Sequence, residues 1–172
     1  MITETSGKKE LLTAIDESVS ELVSLMSSLD ESKINSVPYK DSWTAAQLLR
    51  HVTKSTSGMA KAMRSESKPA VRDPGEKILH LKKAFLDFST KIKSPDFIVP
   101  EEGPYEKQAV INEINKSFQE FKESTNKASL NDIVEGLPLG EITKLEILYF
   151  VLYHTQRHLH QMKKIYGALK SG

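Results

Sequence analysis

An all-α fold, a four-helix bundle with one additional crossover helix, is what this sequence predicts, and three observations carry that expectation. Apolar residues recur at three- and four-residue steps in five separate stretches, the period of a single buried helix face. Two of those stretches open on a threonine followed three residues later by glutamine or glutamate, the capping box that marks a helix start. No stretch reads convincingly as a strand, and no internal repeat is present. A chain of 172 residues has length enough to bury a sizeable core, so residues 1–172 are expected to form one domain.

The first stripe, Leu12, Ile15, Val19, Leu22, Met26 and Leu29, predicts an amphipathic helix over about residues 5–29. Asn35, Pro38 and Asp41 interrupt any period, so 30–43 reads as a loop. The second helix starts at a well-marked point, with Thr44 as N-cap, Gln47 as its capping-box partner and Trp43 placed to staple onto Leu48. Leu48, Val52, Ser55, Met59 and Met63 form its inward face, and His51 falls on that face. Gly58, inside this helix, costs roughly 1 kcal/mol relative to alanine and hints at close packing.

Residues 69–75 break the pattern, after which Ile78, Leu81, Phe85, Phe88 and Ile92 predict the added or crossover helix over about 76–93. Ser94 and Pro95 end it, and 94–104 reads as a loop or extended crossover. Val110, Ile111, Ile114, Phe118 and Phe121 supply the next helix, with Pro104 suited to its first turn. Gly136, Pro138 and Gly140 argue against helix in the following connection. Thr143 and Glu146 then form the second capping box, and Ile147, Leu148, Val151, Met162, Ile165 and Leu169 trace the face of the last helix.

Composition narrows the function. Lysine and arginine total 24 against 23 acidic residues, with no basic block or aromatic–basic stripe, so nucleic acid is not an expected partner. No apolar run is long enough to cross a bilayer, and Met1 to Thr5 lack the basic start of a signal peptide; the expectation is a cytoplasmic protein with no membrane partner. There are no cysteines. Disulfides, thiolate ligands and a cysteine nucleophile are therefore excluded, and thiol chemistry would need a thiol brought by a cosubstrate.

The candidate site is a set of histidines. His154 and His158 lie four apart on the last helix, one above the other on its apolar face, so both imidazoles can reach one metal ion. His51, on the apolar face of another helix, can supply a third ligand. Three neutral imidazoles leave at least one coordination position for water or substrate, the arrangement of a catalytic rather than a closed structural metal site. The competing explanation is that carbonyls or buried waters satisfy these rings. Gln161 shares the face and can hydrogen-bond a ligand imidazole or serve only in packing. His160 points to nearly the opposite side and suits the surface or a dimer contact; His80 has no partner at helical spacing. Arg157, next to the pair, can hold an anionic substrate, but an arginine on a solvated face needs no such purpose and that is its expected place; Trp43 and Tyr153 are expected in staple and core roles. No catalytic acid, base or substrate-binding residue can be assigned.

Two blocks carry a family resemblance: Trp43-Thr-Ala-Ala-Gln-Leu-Leu-Arg-His51 and His154-Thr-Gln-Arg-His158-Leu-His-Gln161. Together with their spacing they resemble the DinB-like superfamily of helical bundles, across nearly the whole chain. The resemblance implies a four-helix bundle, often a homodimer, in which His51, His154 and His158 hold a divalent metal, zinc or nickel. It further implies a small-molecule substrate and, by analogy with some relatives, a low-molecular-weight thiol as cosubstrate in a transfer or isomerisation; activation of water is the alternative use of the ion. Leu159 and His160 stand where relatives often carry a small residue, which weakens equivalence of the substrate pocket. Specificity is expected in loops 30–43, 94–104 and 129–142. Two other classes stay open: a non-catalytic metal- or small-ligand-binding helical module, and an interaction protein whose histidines bind nothing.

Overall fold

The computed structural model describes residues 4–171. In order along the chain it comprises α1 (Glu4–Ser27), α2 (Glu31–Ile34), α3 (Ala45–Arg64), β1 (Lys68–Pro69), α4 (Ile78–Leu86), α5 (Lys107–Lys127), β2 (Asp132–Leu137), β3 (Gly140–Thr143) and α6 (Lys144–Ser171). A single 3-10 turn, Asp96–Ile98, lies in the crossover between α4 and α5.

Four long helices make the bundle. α3 packs chiefly on α5 and α1 on α6, while contacts of α3 with α6 and of α1 with α5 close the ring. α4 lies outside it, against α6. The apolar stripes are the reason: Leu22, Met26, Leu48, Ile114, Phe121 and Ile147 are each at most 1% exposed, and they converge from all four long helices on one core. Burial of such side chains is worth about 1.5–3 kcal/mol each and drives assembly of helices that would be marginal alone.

Both capping boxes form. The Thr44 hydroxyl accepts from Gln47 N at 3.1 Å while Gln47 Oε1 accepts from Thr44 N at 3.0 Å. At α6 the Thr143 hydroxyl accepts from Glu146 N at 3.1 Å, and Glu146 Oε2 accepts from Thr143 N at 2.9 Å. These caps set the rotational phase of α3 and α6, and with it the direction in which His51, His154 and His158 point.

Several expectations are corrected. The helix expected over 76–93 ends at Leu86, so Phe88 and Ile92 lie beyond it and are 45% and 42% exposed. The loop over 30–43 contains the short α2, whose Ile34 is buried. The helix after Pro104 starts only at Lys107, and a Cβ at Gly58 would meet nothing within 4 Å, so that glycine marks no close approach.

Strands are the largest departure. β1, β2 and β3 form an antiparallel sheet in that order, with Lys68 opposite Ile133, Val134 opposite Ile142 and Leu137 opposite Gly140. The register slips between Val134 and Leu137, where Gly136 adopts φ +83°, and Gly140 re-enters the hairpin at φ +77°. Both values lie where L-residues with a Cβ are strained, so glycine is required there. β3 ends on Thr143, and the sheet thus delivers the cap of α6.

Candidate metal centre

His51 lies seven residues after the cap of α3, on the face that carries Leu48 and Val52 into the core. His154 and His158 occupy successive turns of α6. The three rings meet in the bundle: Nε2 of His51 is 3.2 Å from Nε2 of His154 and 3.0 Å from that of His158, and the latter two are 3.2 Å apart. All three residues are buried, at 1%, 5% and 7% exposure.

The rear of each ring decides what its Nε2 can do. His51 Nδ1 lies 2.9 Å from the carbonyl oxygen of Ile98, which can only accept, so Nδ1 carries the proton and Nε2 presents a lone pair. His158 Nδ1 lies 2.9 Å from Gln161 Oε1 and is held in the same tautomer. Burial pushes all three imidazoles below the ordinary value of 6.5. For His51 the Ile98 carbonyl opposes and Lys54 adds to that shift; His154 is lowered further by His158 and His51; His158 falls to about 3, with His51 as the next contributor. The rings are therefore neutral at pH 7. Two lone pairs face one another at 3.0 Å, and His154, in whichever tautomer, has at most one proton to place among three contacts.

A divalent cation would resolve this confrontation. Separations of 3.0–3.2 Å among the three Nε2 atoms fit three imidazoles sharing one ion at the usual bond length of about 2.0–2.1 Å. Among the described residues the cluster able to hold a metal has these three members, with no carboxylate or further histidine as a fourth. Such a donor set leaves coordination positions free.

Aromatic rings wall the cluster. Trp43, assigned from sequence as a staple, lays its ring 4.8 Å from that of His51, while Phe150 and Phe85 stand 5.2 and 6.1 Å from His154. Outward from His158 and Gln161 the cluster adjoins an open cleft of about 660 Å³.

The Ile98 carbonyl is held by a strap that sequence reasoning missed. Lys54 Nζ donates to the Val99 carbonyl at 3.1 Å and to Glu101 Oε1 at 2.8 Å, and Arg50 Nε reaches Glu101 Oε2 at 3.2 Å. Arg50 and Lys54 lie on α3 one turn apart, flanking His51. Asn35 ties the far end through two 2.8 Å hydrogen bonds with the Tyr105 backbone. A backbone carbonyl leaves no trace in residue type; the i, i+4 basic pair beside His51 was the available signal.

The other singled-out residues fall away from the cluster. Arg157 donates to the carbonyls of Phe85, Asp87 and Thr90, tying the end of α4 to α6. His160 is exposed and stacks on Phe88 with centroids 4.1 Å apart and planes 9° apart; His80 is exposed. Tyr153 is buried in the core.

A bundle of four long helices carrying three converging imidazoles and no fourth protein ligand defines a class of helical protein with a candidate open metal site. The chain belongs to the DinB superfamily, whose family model matches residues 14–162. It is 24% identical over 141 residues to the uncharacterized protein YuaE of Bacillus subtilis, covering 80% of this chain and 85% of that protein. Two solved structures share the fold. TT2238, a four-helix bundle protein, superposes with a TM-score of 0.61 at 16% identity, covering 91% of this chain and 98% of the other. YfiT from Bacillus subtilis, described as a probable metal-dependent hydrolase with an unusual four-helix bundle topology, has a TM-score of 0.61 at 13% identity, covering 96% of this chain and 88% of its own. No helix among the described residues is long and apolar enough to cross a membrane.

Proposed function

We propose that this chain is a metal-dependent enzyme in which His51, His154 and His158 hold a divalent ion, zinc or nickel, that activates water or a thiol cosubstrate toward a small electrophilic molecule. The observation that carries this reading is the meeting of three Nε2 atoms within 3.0–3.2 Å, two of them with lone pairs fixed by Ile98 and Gln161. A bound divalent ion supplies Lewis acidity, which brings the pKa of a coordinated water or thiol toward neutrality.

The chain's own residues do the rest. Ile98 and Gln161 keep protons on the Nδ1 atoms, so the metal-facing nitrogens need not be deprotonated first. Phe85 and Phe150 cover the His154 side of the cluster, while Trp43 stands between His51 and the cleft that serves as the approach. A thiol nucleophile would come from outside the chain, which contains no cysteine. Absence of a fourth His or acidic ligand from the cluster, among the described residues, favours catalysis over a purely structural ion. The hydrolase description of YfiT supports water as one nucleophile, and the family resemblance supports the thiol. That resemblance also underlies the assignment of a homodimer, whereas the cytoplasmic location is proposed from the start of the sequence and the absence of cysteine.

Metal analysis of the purified protein, followed by parallel assays with an activated ester and with a thiol plus chlorodinitrobenzene, tests the proposal. One equivalent of zinc or nickel and metal-dependent turnover in either assay are expected. Full metal content and unchanged affinity in His51→Ala would overturn the ligand assignment.

A further inference from the structure

The cleft beside His158 is basic where the chain as a whole is nearly neutral. Lys40, Lys91, Lys93, Lys164 and Arg157 line it against Asp41 and Asp96, five positive charges to two negative. The chain's net charge is +1, so with +3 in the cleft the remainder carries −2. Positive charge is concentrated here.

Among the described residues no ion pair of a cleft lysine with a carboxylate offsets it. Elsewhere lysines meet carboxylates, as in Lys54–Glu101, Lys68–Glu135, Lys122–Asp16 and Lys163–Glu21. Among the described residues Lys40, Lys91 and Lys93 make no ion pair, and Lys164 has only the ring of Tyr39, 5.8 Å from its Nζ. Arg157 is pinned by carbonyls, which fix its position without cancelling its charge. Asp87 acts on Arg157 through space without a direct ion pair, and its carboxylate accepts from Ser89.

Apolar surface is interleaved with these cations. Phe88, Ile92 and Val99 are 45%, 42% and 40% exposed in the cleft, and Phe88 is held flat by its stack on His160. Phe88 and Ile92 continue the apolar period of α4, yet the backbone leaves the helix at Asp87 and turns both into the cleft. Large apolar side chains alternating with unpaired ammonium groups match a ligand that is apolar in body and anionic at an end.

We propose that this cleft takes an amphipathic organic anion, bearing a carboxylate, phosphate or sulfonate group, whose apolar part lies on Phe88 and Ile92 while the lysines hold the charge. This names the substrate class for the function proposed above and rests on it: a molecule so held has its remaining groups directed at the open side of the histidine cluster, through His158. The basic rim also raises the local concentration of anions and speeds their arrival in a salt-dependent way.

The test is a fluorescence titration of the full chain with anilinonaphthalene sulfonate, an apolar anion, beside Nile red, which is uncharged. Lys91→Glu/Lys93→Glu, changing two exposed loop residues, is the variant. The sulfonate dye should bind wild type with an affinity that falls several-fold between low and high salt. In the variant its affinity should drop about fivefold or more, given four units of charge reversed within roughly a Debye length. Nile red affinity and zinc affinity should be the same in both proteins. Equal sulfonate affinity in the two proteins, or none in either, would overturn the proposal. So would dye release on raising protein concentration with a doubling of mass by light scattering, which would assign the cleft to a second copy. A wild type that binds the sulfonate in this salt-dependent way yet takes up no zinc or nickel would sink the metal reading and leave the anion site standing.

Discussion

Two buried polar clusters sit on α6, separated by about 12–18 Å of helix, and they differ in whether the chain completes them. At the start of the helix Glu146 is fully buried, and each of its oxygens has two donors. Oε1 accepts from Arg72 Nη1 and Lys77 N, and Oε2 from Arg72 Nη2 and Thr143 N, all at 2.8–2.9 Å. Farther along, His154 and His158 meet His51 with a surplus of lone pairs and too few protons. The first cluster is closed by its own residues. The second is closed only by something added. Buried polar groups are ordinarily satisfied, so a complete cluster points to a structural role and an incomplete one to a ligand.

The largest effect should come from breaking the complete cluster. Glu146→Ala leaves the N–H groups of Thr143 and Lys77 without this partner and the Arg72 guanidinium with only Glu76 and Glu141, at 3.4 and 3.7 Å, and the Asp73 carbonyl; at about 1–3 kcal/mol for each buried donor left unpaired, a loss of roughly 3 kcal/mol is expected. Urea denaturation should show a fall of that order. The Thr143 hydroxyl still accepts from the backbone N–H of residue 146 and keeps the start of α6 in place, so zinc affinity of the folded fraction should hardly change.

His51→Ala should do the reverse. Removal of one of three ligands should weaken zinc binding more than about 100-fold, beyond what loss of an outer hydrogen-bonding partner costs. Stability of the metal-free protein should move by only about 1 kcal/mol, because the substitution also removes the lone-pair confrontation. A titration with zinc and a metal-free melt give the two numbers.

Lys54→Ala comes next. Without this lysine the segment carrying the Ile98 carbonyl loses two contacts, and the tautomer of His51 is less firmly set. A roughly tenfold loss of zinc affinity is expected, at the lower end for residues that orient metal ligands. The ion pair with the half-exposed Glu101 contributes under about 1 kcal/mol to stability, so thermal unfolding of the metal-free variant should shift little.

Acid separates the clusters with the least disturbance at neutral pH, where both are in their stable protonation states. The histidines have folded pKa values below the unfolded 6.5. Metal-free stability is therefore complete above that value and declines as pH falls from 6.5 toward about 3, the value for His158. Burial alone would raise Glu146, but Arg72 and the N–H groups of Thr143 and Lys77 overcome it and hold the carboxyl below 4.5. Its contribution is present above the unfolded value and lost only as pH drops through the folded one. Acid unfolding of the metal-free protein should thus begin near pH 6. Saturating zinc should move that onset downward, since the ion competes with protons for the same nitrogens.

The histidine cluster was legible because helix phase can be read from capping boxes. Thr44/Gln47 and Thr143/Glu146 fix where α3 and α6 start, and residues at +7, +11 and +15 from those caps then point inward. The second role of Glu146, as partner of Arg72, was not legible, because the two residues are 74 apart and joined only by the fold. The sheet was hidden for a related reason: β1 has two residues, one of them proline, and adjacent Ile133 and Val134 are both buried, so no alternation marks β2. Phe88 and Ile92 misled in the opposite direction, since an apolar period does not distinguish a core stripe from the lining of a cleft.

X-ray absorption at the zinc edge of the loaded wild-type protein tests the incomplete cluster most directly. Three imidazole nitrogens at about 2.0–2.1 Å with at least one additional light-atom ligand from solvent is the expected shell, falling to two imidazoles in His51→Ala. A shell with fewer than three imidazoles in wild type, or one unchanged by the substitution, would contradict the account.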